Sequence, residues 1–389
     1  MSEIKTLDLF CGIGGLTSGL EAAGLKCVLG VDLWPEAGKT FEHNHKNAPF
    51  LCADLTKISP ENLLKSAGLN FASVDVIVGG PPCQGFSTIG KRLQKDPRNT
   101  LWKHYLEIVD HVRPAYVLIE NVEGMNVMAG GAVRDGIIKA FADIGYEMTA
   151  RVLLSADYGV PQLRKRIVFM GWLPSLTKPL EPIPTHTKSD YVTVRDAIFD
   201  LPQLESGQKK ETYVDLPFSE YQRELRGAMD RLYNHEAANH PQHLVELLSH
   251  IPDGGNRKSI PDKLQPKSGF HNSYARLASD KPAIAVTSNM RKPSSARSTH
   301  PLQNRGLTVR EGMRLQTFPD AFVVLGSRSS QYLQVGNAVP PRLARALGFA
   351  IKKAFLSNSS EDIAKARATR TVVSTKISKL VVQQESLFD

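Results

Sequence analysis

The sequence predicts an α/β protein: a mostly parallel sheet with helices on both faces, joined to a smaller, loop-rich domain. Three observations lead there. Across residues 1–172 short apolar runs alternate with helix-like segments, the pattern of parallel strands linked by crossover helices. A polar or reactive group follows the strand-like runs five times. From residue 173 the periodicity fades and prolines cluster, as in LPSLTKPLEPIPTH.

Taken in order, TLDLF is the first strand and LTSGLEAAG its helix; CVLGV is the second and PEAGKTFEHN its helix. PFLCA, VDVIV, AYVLI and RIVFMGW are further strands. The groups at strand ends are the loop from Phe10 to Gly15, then Asp32, Asp54, Cys83 and Glu120. In an open parallel sheet the carboxyl ends share one edge, and ligands bind in the crevice beside it. One strand-end acid is a turn former or a helix cap; five such groups on one rim are a site. Residues 1–172 are therefore expected to form the ligand-binding domain and 173–327 a second domain. Within the latter, regularity returns at Thr308, where TVRE is a capping box between Thr308 and Glu311. Pro340 and Pro341 sit where a helix begins, and RLARALGFAIKKAF carries helical apolar spacing. The segment 328–357 is expected to pack back on the first domain, and the Ser-rich, charged stretch 358–389 to be a flexible tail.

A formal charge of +9 favours a polyanionic partner, and its placement sharpens that expectation. Residues 291–310 carry Arg291, Lys292, Arg297, Arg305 and Arg310 with no acid among them, and the loop after Cys83 carries Lys91, Arg92, Lys95, Arg98 and Lys103 against Asp96 alone. Two basic, hydroxyl-rich loops suit phosphate contacts. Gln84, Ser87, Lys91, Arg92, Arg291, Arg297 and Arg305 are the candidate nucleic-acid contacts. No apolar run approaches the roughly 18 residues that span a bilayer, and MSEIKTLDLF lacks a signal-peptide core, so a cytoplasmic protein with reduced thiols is expected. Its four cysteines form no C-x-x-C pair; His43 and His45 read as a polar turn, and no metal is expected.

The loop FCGIGG lets backbone approach a ligand closely. It fails as a dinucleotide fingerprint, because the third glycine would fall at Thr17. Asp32, twenty residues past Gly12, is placed to accept from ribose hydroxyls, and Asp54 could accept from an adenine amino group. A nucleoside without a pyrophosphate fits these parts, which points to S-adenosylmethionine.

Eight segments then resemble, in order, the DNA cytosine-5 methyltransferases of the bacterial restriction–modification type: DLFCGIGG, VDLWPEA, ADLTKI, GGPPCQGFSTIGKR, LIENVEGM, YGVPQLRKRIVFMG, LTVREGMRLQTFPDAF and QVGNAVPPRLARALG. The resemblance implies a Rossmann-like, S-adenosylmethionine-dependent methyltransferase fold, with 1–172 catalytic and 173–327 reading the target. It implies a monomer that acts on double-stranded DNA. The cofactor set it carries over is Phe10, Gly12, Gly14, Leu16, Asp32, Asp54, Leu55, Gly80, Pro82, Asn337 and Val339. Cys83 matches the nucleophile, Glu120 the residue that serves ring nitrogen 3, and Arg164 and Arg166 the pair that holds the base carbonyl and orients Glu120. Asn121 matches a brace for the Cys83 loop.

The chemistry needs these residue types. Carbon 5 of cytosine is a poor nucleophile until a thiolate adds to carbon 6, which makes one hard step into two easier ones. Pro82, with a fixed φ, holds the chain rigid beside Cys83. A base inside a duplex must be extruded first, at a cost of a few kcal/mol, and closure of the loop after Cys83 is the expected compensation. Two other readings compete: a tRNA cytosine methyltransferase, and a nucleic-acid-binding regulator without catalysis. Methylation of an exocyclic amine is excluded, since it needs Asp or Asn before Pro-Pro where this chain has Gly80. At the far end, Gln384, Ser386, Leu387 and Phe388 of QQESLFD resemble the peptide by which bacterial proteins dock on the DNA sliding clamp, although Glu385 departs from it.

Overall fold

The computed structural model describes residues 3–82, 101–266, 273–295 and 298–369. The first unit is built from β1 (Lys5–Leu9), α1 (Gly15–Ala22), β2 (Lys26–Asp32), α2 (Pro35–Asn44), β3 (Phe50–Cys52), α3 (Pro60–Ser66) and β4 (Val76–Gly79). It continues with α4 (Leu101–Val112), β5 (Tyr116–Val122), α5 (Gly124–Val127), α6 (Ala132–Asp143), β6 (Glu147–Leu154), β7 (Gln162–Leu163) and β8 (Lys165–Trp172). Among the described residues, seven strands make one sheet in the order β3-β2-β1-β4-β5-β8-β6. The chain builds outward from β1 to β3 and then starts again at β4 on the other side of β1. That reversal opens a crevice at the carboxyl ends of β1 and β4.

RIVFMGW is a strand, but it runs antiparallel to both neighbours, β5 and β6. The reason is the short link. Parallel strands need a crossover of a dozen or more residues, whereas a single 3-10 turn at Ser155–Tyr158 and the two-residue β7 fill the gap before β8. The sheet is otherwise parallel.

The second unit contains α7 (Val194–Ile198), α8 (Glu220–Arg226), α9 (Gln242–Ser249), β9 (Ala283–Ile284), α10 (Val309–Leu315) and α11 (Arg328–Asn337). Its apolar cluster gathers Val194, Ile198, Tyr221, Leu225, Met313, Phe318, Tyr332 and Val335, together with Ile13 and Ala37 from the first unit. Regular structure is sparse here, and buried arginines replace it. The guanidinium of Arg314 bridges Asp200 and Asp320, while Arg310 donates to the carbonyls of Tyr233 and Phe322. Arg276 ties the Leu248, Ile251, His300 and Gln303 carbonyls together. The capping box at Thr308 and Glu311 is present at the start of α10.

The last two helices are α12 (Pro341–Leu356) and α13 (Ser360–Ala368). α12 lies against α1 at a glycine contact. A Cβ at Gly19 would stand 2.3 Å from the Pro341 carbonyl oxygen and 2.4 Å from the Ala344 Cβ. Leu343, Leu347 and Ile351 thereby join the core of the sheet. Two expectations for the end of the chain change. α11, grouped with the segment that packs back on the first domain, belongs by its buried Tyr332 and Val335 to the second cluster. Of the tail 358–389, expected to be flexible, the described part forms α13 through Ala368. Ser359 and Asp362 cap that helix, Ile363 and Ala366 are buried, and Arg367 approaches Asp75.

Candidate active site

A cleft of about 660 Å³ opens at the carboxyl ends of β1, β2, β4 and β5. Phe10, Gly12 and Leu16 line it from the glycine loop, Asp32 from β2, and Asp54 and Leu55 from the segment after β3. Gly80 and Pro82 follow β4; Asn337 and Val339 come from the other end of the chain. Glu120, Asn121, Arg164 and Arg166 line the same space.

The glycine loop is shaped for a ligand. Phe10 and Gly12 both adopt left-handed backbone, with φ of 59° and 55°, an uncommon state for a residue with a side chain. A Cβ at Gly12 would meet nothing within 4 Å, so the backbone there faces open space. Gly15 has the opposite reason for being glycine: its Cβ would lie 2.3 Å from the Val339 carbonyl oxygen. Gly14 does not line the cleft. Its Cβ would strike His45 at 2.3 Å, so it serves packing under the loop rather than ligand contact.

Asp32 accepts from the Gly12 N–H at 2.8 Å and the Trp34 N–H at 2.9 Å, one on each oxygen. Each oxygen retains a lone pair for a hydroxyl, and burial raises its carboxyl above the usual range. Asp54 accepts from the Thr56 hydroxyl at 2.7 Å and the Thr56 N–H at 3.0 Å, with Lys57 at 3.1 Å; these hold it at about 2, fully ionised.

At the other end of the cleft, Glu120 and Arg166 meet across β5 and β8. The register pairs Glu120 with Val168 and Val122 with Arg166, so the two are diagonal neighbours on one face. Arg166 Nε stands 2.8 Å from Glu120 Oε1, and Glu120 is 7% exposed. Gly80 lies against this carboxylate: a Cβ there would sit 3.6 Å from Oε2. Asn121 Nδ2 donates to the Pro81 carbonyl at 2.9 Å, which ties β5 to the segment leading to Cys83. Cys83 itself, with Gln84, Ser87, Lys91 and Arg92, lies outside the described residues, as does Arg297.

Arg164 does not share the role of Arg166. It falls between β7 and β8, is 3% exposed, and donates to the carbonyls of Val286 (2.9 Å), Gly336 (3.4 Å) and Ala338 (3.3 Å). Its terminal nitrogens clamp these carbonyls along one wall of the cleft, while its buried Nε has no partner. Gln162 and Gln316 complete that clamp: Gln162 donates to Leu315 and accepts from Val286, and Gln316 donates to Val335 and Ala338. Sequence reasoning passed over both glutamines, because an amide shows its use only once its carbonyl partners are folded around it. It also passed over Asp8, Trp34 and Gln334, which line the cleft.

Of the proposed nucleic-acid contacts, Arg291 is half-buried and donates to Ser329 at 3.1 Å with its guanidinium over the Tyr332 ring. Arg305 is a correction. It is 0% exposed and bonds Glu311 at 2.7 and 2.9 Å, so it faces the interior of the second unit and not a phosphate. Burial works against the Glu311 charge, but Arg305 outweighs it and holds that carboxyl well below the usual range. Among the described residues no group of His, Cys, Asp and Glu could hold a metal, and no helix is long and apolar enough to cross a membrane.

A glycine loop whose backbone faces open space, acids at the end of β2 and after β3 on the same cleft, and a doubly wound sheet fit an S-adenosylmethionine-dependent methyltransferase. The chain belongs to the C-5 cytosine-specific DNA methylases, whose family model matches residues 4–353. It is 41% identical over 354 residues to the Type II methyltransferase M1.HphI of Haemophilus parahaemolyticus, covering 90% of this chain and 87% of that one. It is 36% identical to the Type II methyltransferase M.DdeI of Desulfomicrobium norvegicum, covering 88% and 87%. Among solved structures, an E. coli prophage-encoded protein described as a DNA modification methyltransferase superposes with a TM-score of 0.75 at 24% identity, over 91% of this chain and 100% of that one. The protein is thus an enzyme of DNA cytosine methylation, with S-adenosylmethionine as methyl donor, and the tRNA and regulator readings give way.

Proposed function

We propose that this chain methylates carbon 5 of a cytosine swung out of a specific duplex sequence, with Cys83 as nucleophile. The observation that carries this reading is the Glu120–Arg166 pair, set at 2.8 Å on the same cleft as Pro82 and the two nucleoside acids. S-adenosylmethionine supplies an electrophilic methyl group on a sulfonium. The Cys83 thiolate adds to carbon 6, and the ring's electron pair shifts to carbon 5, which would take the methyl as its bond to the sulfonium breaks and that bond's pair stays on sulfur, leaving the neutral thioether S-adenosylhomocysteine. Loss of the carbon 5 proton to water then returns the pair, breaks the C6–S bond and restores the thiolate.

Glu120 hands a proton or a strong hydrogen bond to ring nitrogen 3 as charge builds on the ring. Arg166 orients Glu120 and holds the base carbonyl, while Arg164 keeps the cofactor wall in place. Asp54 takes the adenine amino group and Asp32 the ribose hydroxyls. Gln84, Ser87, Lys91, Arg92, Arg291 and Arg297 are assigned to DNA. Residues 173–327 are assigned to reading the site in the major groove.

Duplex DNA carrying 5-fluorocytosine tests the mechanism, because fluorine cannot leave as a proton does. A covalent adduct stable in denaturing gels is expected, and none with Cys83→Ala. Label on an exocyclic amino group, or an adduct that survives Cys83→Ala, rejects it.

The Type II methyltransferase names of the relatives support a modification role beside a restriction endonuclease; that the enzyme works as a monomer in the cytoplasm is part of the same proposal. Bisulfite sequencing of DNA from expressing cells reads out the site. The tail residues Gln384, Ser386, Leu387 and Phe388, outside the described residues, are proposed to tether the enzyme to a bacterial sliding clamp. Pull-down with purified clamp should fail when Leu387 and Phe388 become alanine; binding unchanged by that substitution, or absent from the start, rejects the tether.

A further inference from the structure

The strap between α11 and α12 lines the cleft through Asn337, Ala338 and Val339. α1 packs on one side of it. A Cβ at Gly15 would fall 2.3 Å from the Val339 carbonyl oxygen, and one at Gly19 the same distance from that of Pro341. The other side meets the end of α10, where consecutive residues each make a different tie. The Leu315 carbonyl accepts from Gln162 at 2.6 Å, and Gln316 donates to the Val335 and Ala338 carbonyls. The Thr317 hydroxyl accepts from the Arg342 N–H at 3.0 Å.

That last bond comes from strained backbone. Thr317 is 2% exposed and has a φ of 67°, a left-handed conformation that is a genuine outlier for a β-branched residue. Such strain persists where the surroundings over-determine it, and it gathers at functional sites. The Thr317 N–H turns back to the Arg314 carbonyl at 3.0 Å and closes the end of α10, while the side chain reaches α12. α12 has use for that acceptor. The first N–H groups of a helix lack partners inside it. Pro340 and Pro341 carry no N–H, and Pro340 makes no side-chain cap, so Arg342 bears the first donor of the helix. A threonine 25 positions back along the chain thus caps α12 across the boundary between the two units. The Arg342 side chain strengthens the same junction, with a bond to the Gly159 carbonyl at 3.0 Å and an ion pair to Glu224 on α8.

We propose that Thr317 is a positioning residue for the methyl donor. Its hydroxyl, presented by left-handed backbone, fixes the start of α12 and through it the Asn337–Val339 wall. Thr317 is not among the residues that line the cleft, so it acts through that wall alone. The inference rests on the assignment of this cleft to S-adenosylmethionine and requires neither DNA nor Cys83.

Three substitutions separate the hydroxyl from the backbone. Thr317→Ser keeps the hydroxyl, Thr317→Val keeps the shape without an acceptor, and Thr317→Gly removes both the hydroxyl and the strain. Binding of S-adenosylhomocysteine to the full chain is measured by titration calorimetry in the absence of DNA. Affinity should fall about three- to tenfold for Thr317→Val and Thr317→Gly, the scale of one hydrogen bond, and stay within about twofold of wild type for Thr317→Ser.

Urea unfolding supplies the readout that a merely structural role would move. Glycine tolerates the left-handed backbone, so Thr317→Gly should unfold at a higher midpoint than Thr317→Val and yet bind no better. Should Thr317→Val fail to fold, Thr317→Gly and Thr317→Ser carry the comparison. Wild-type affinity in Thr317→Gly or Thr317→Val overturns the proposal, as does a Thr317→Ser protein as weak as the other two. Affinities that simply follow the midpoints across the set overturn it as well. A wild-type protein that binds no S-adenosylhomocysteine would instead strike the assignment of the cleft itself.

Discussion

Replacing Arg305 by alanine should unfold the second unit more easily and leave its electrostatic contact with DNA unchanged. The side chain is 0% exposed and gives Glu311, itself 1% exposed, two charge-assisted hydrogen bonds of 2.7 and 2.9 Å. Alanine leaves Glu311 as a buried carboxylate whose remaining neighbours are the Thr308 N–H at 2.7 Å and the imidazole of His300 at 3.8 Å. Breaking a buried pair from one side costs about 3–5 kcal/mol, because the surviving charge is stranded. Urea unfolding should register that loss as a lowered midpoint at constant slope. Removing both partners, as Arg305→Met with Glu311→Gln, should recover a large part of it, since no charge is then stranded. The comparison is Arg291→Ala, which should reduce the salt dependence of DNA affinity by about one phosphate contact and barely move the midpoint. If Arg305→Ala keeps wild-type stability and lowers the salt slope instead, the buried assignment is wrong and Arg305 reaches phosphate.

Three further outcomes follow from the cleft. Glu120→Gln should lower turnover by roughly 10²–10⁴-fold, the usual worth of a positioned general acid, with S-adenosylmethionine affinity little changed in a binding titration. Gly15→Ala places a methyl 2.3 Å from the Val339 carbonyl oxygen, so the 337–339 wall must move; cofactor affinity should fall, with a destabilisation of about 1–3 kcal/mol in denaturant titration. Asp8 supplies a pH signature in the ligand-free protein. Its carboxyl ionises at about 7 when folded and near 3.9 when unfolded. The folded state therefore holds the extra proton between these values, and stability contributed by Asp8 is present at low pH and lost as pH rises to about 7. Asp8→Asn should flatten that decline, gaining on the wild type by up to about 4 kcal/mol at pH 8 on an order-of-magnitude reckoning.

Strand–helix alternation and the groups at the strand ends were legible in the sequence, because they depend on local periodicity and on the rule that parallel strands end on one edge. Phe10, Gly12, Asp32, Asp54, Gly80, Pro82, Glu120, Asn337 and Val339 all line the cleft that this edge forms. What failed was the fate of individual charges and glycines. Arg291 and Arg305 sit in the same acid-free run, yet one is half-buried beside Ser329 and the other is sealed against Glu311. Arg164 and Arg166 look equivalent as alternate residues, but the carbonyls of Val286, Gly336 and Ala338 converge on the first alone.

The sequence by itself determined the order of strands and helices, the edge on which the chemistry gathers and the methyl donor that such an edge suits, while the base was what the resemblance of its eight segments to a known family implied. Each rests on nearest neighbours along the chain. Tertiary structure alone decided that β8 turns back antiparallel, that α11 joins the second cluster, that Ser360–Ala368 is a docked helix, and that Asp8 keeps an unsatisfied oxygen under the cleft. Those outcomes depend on which distant backbone closes over a polar side chain, and a polar side chain reads the same in sequence whether water or a carbonyl will finally face it.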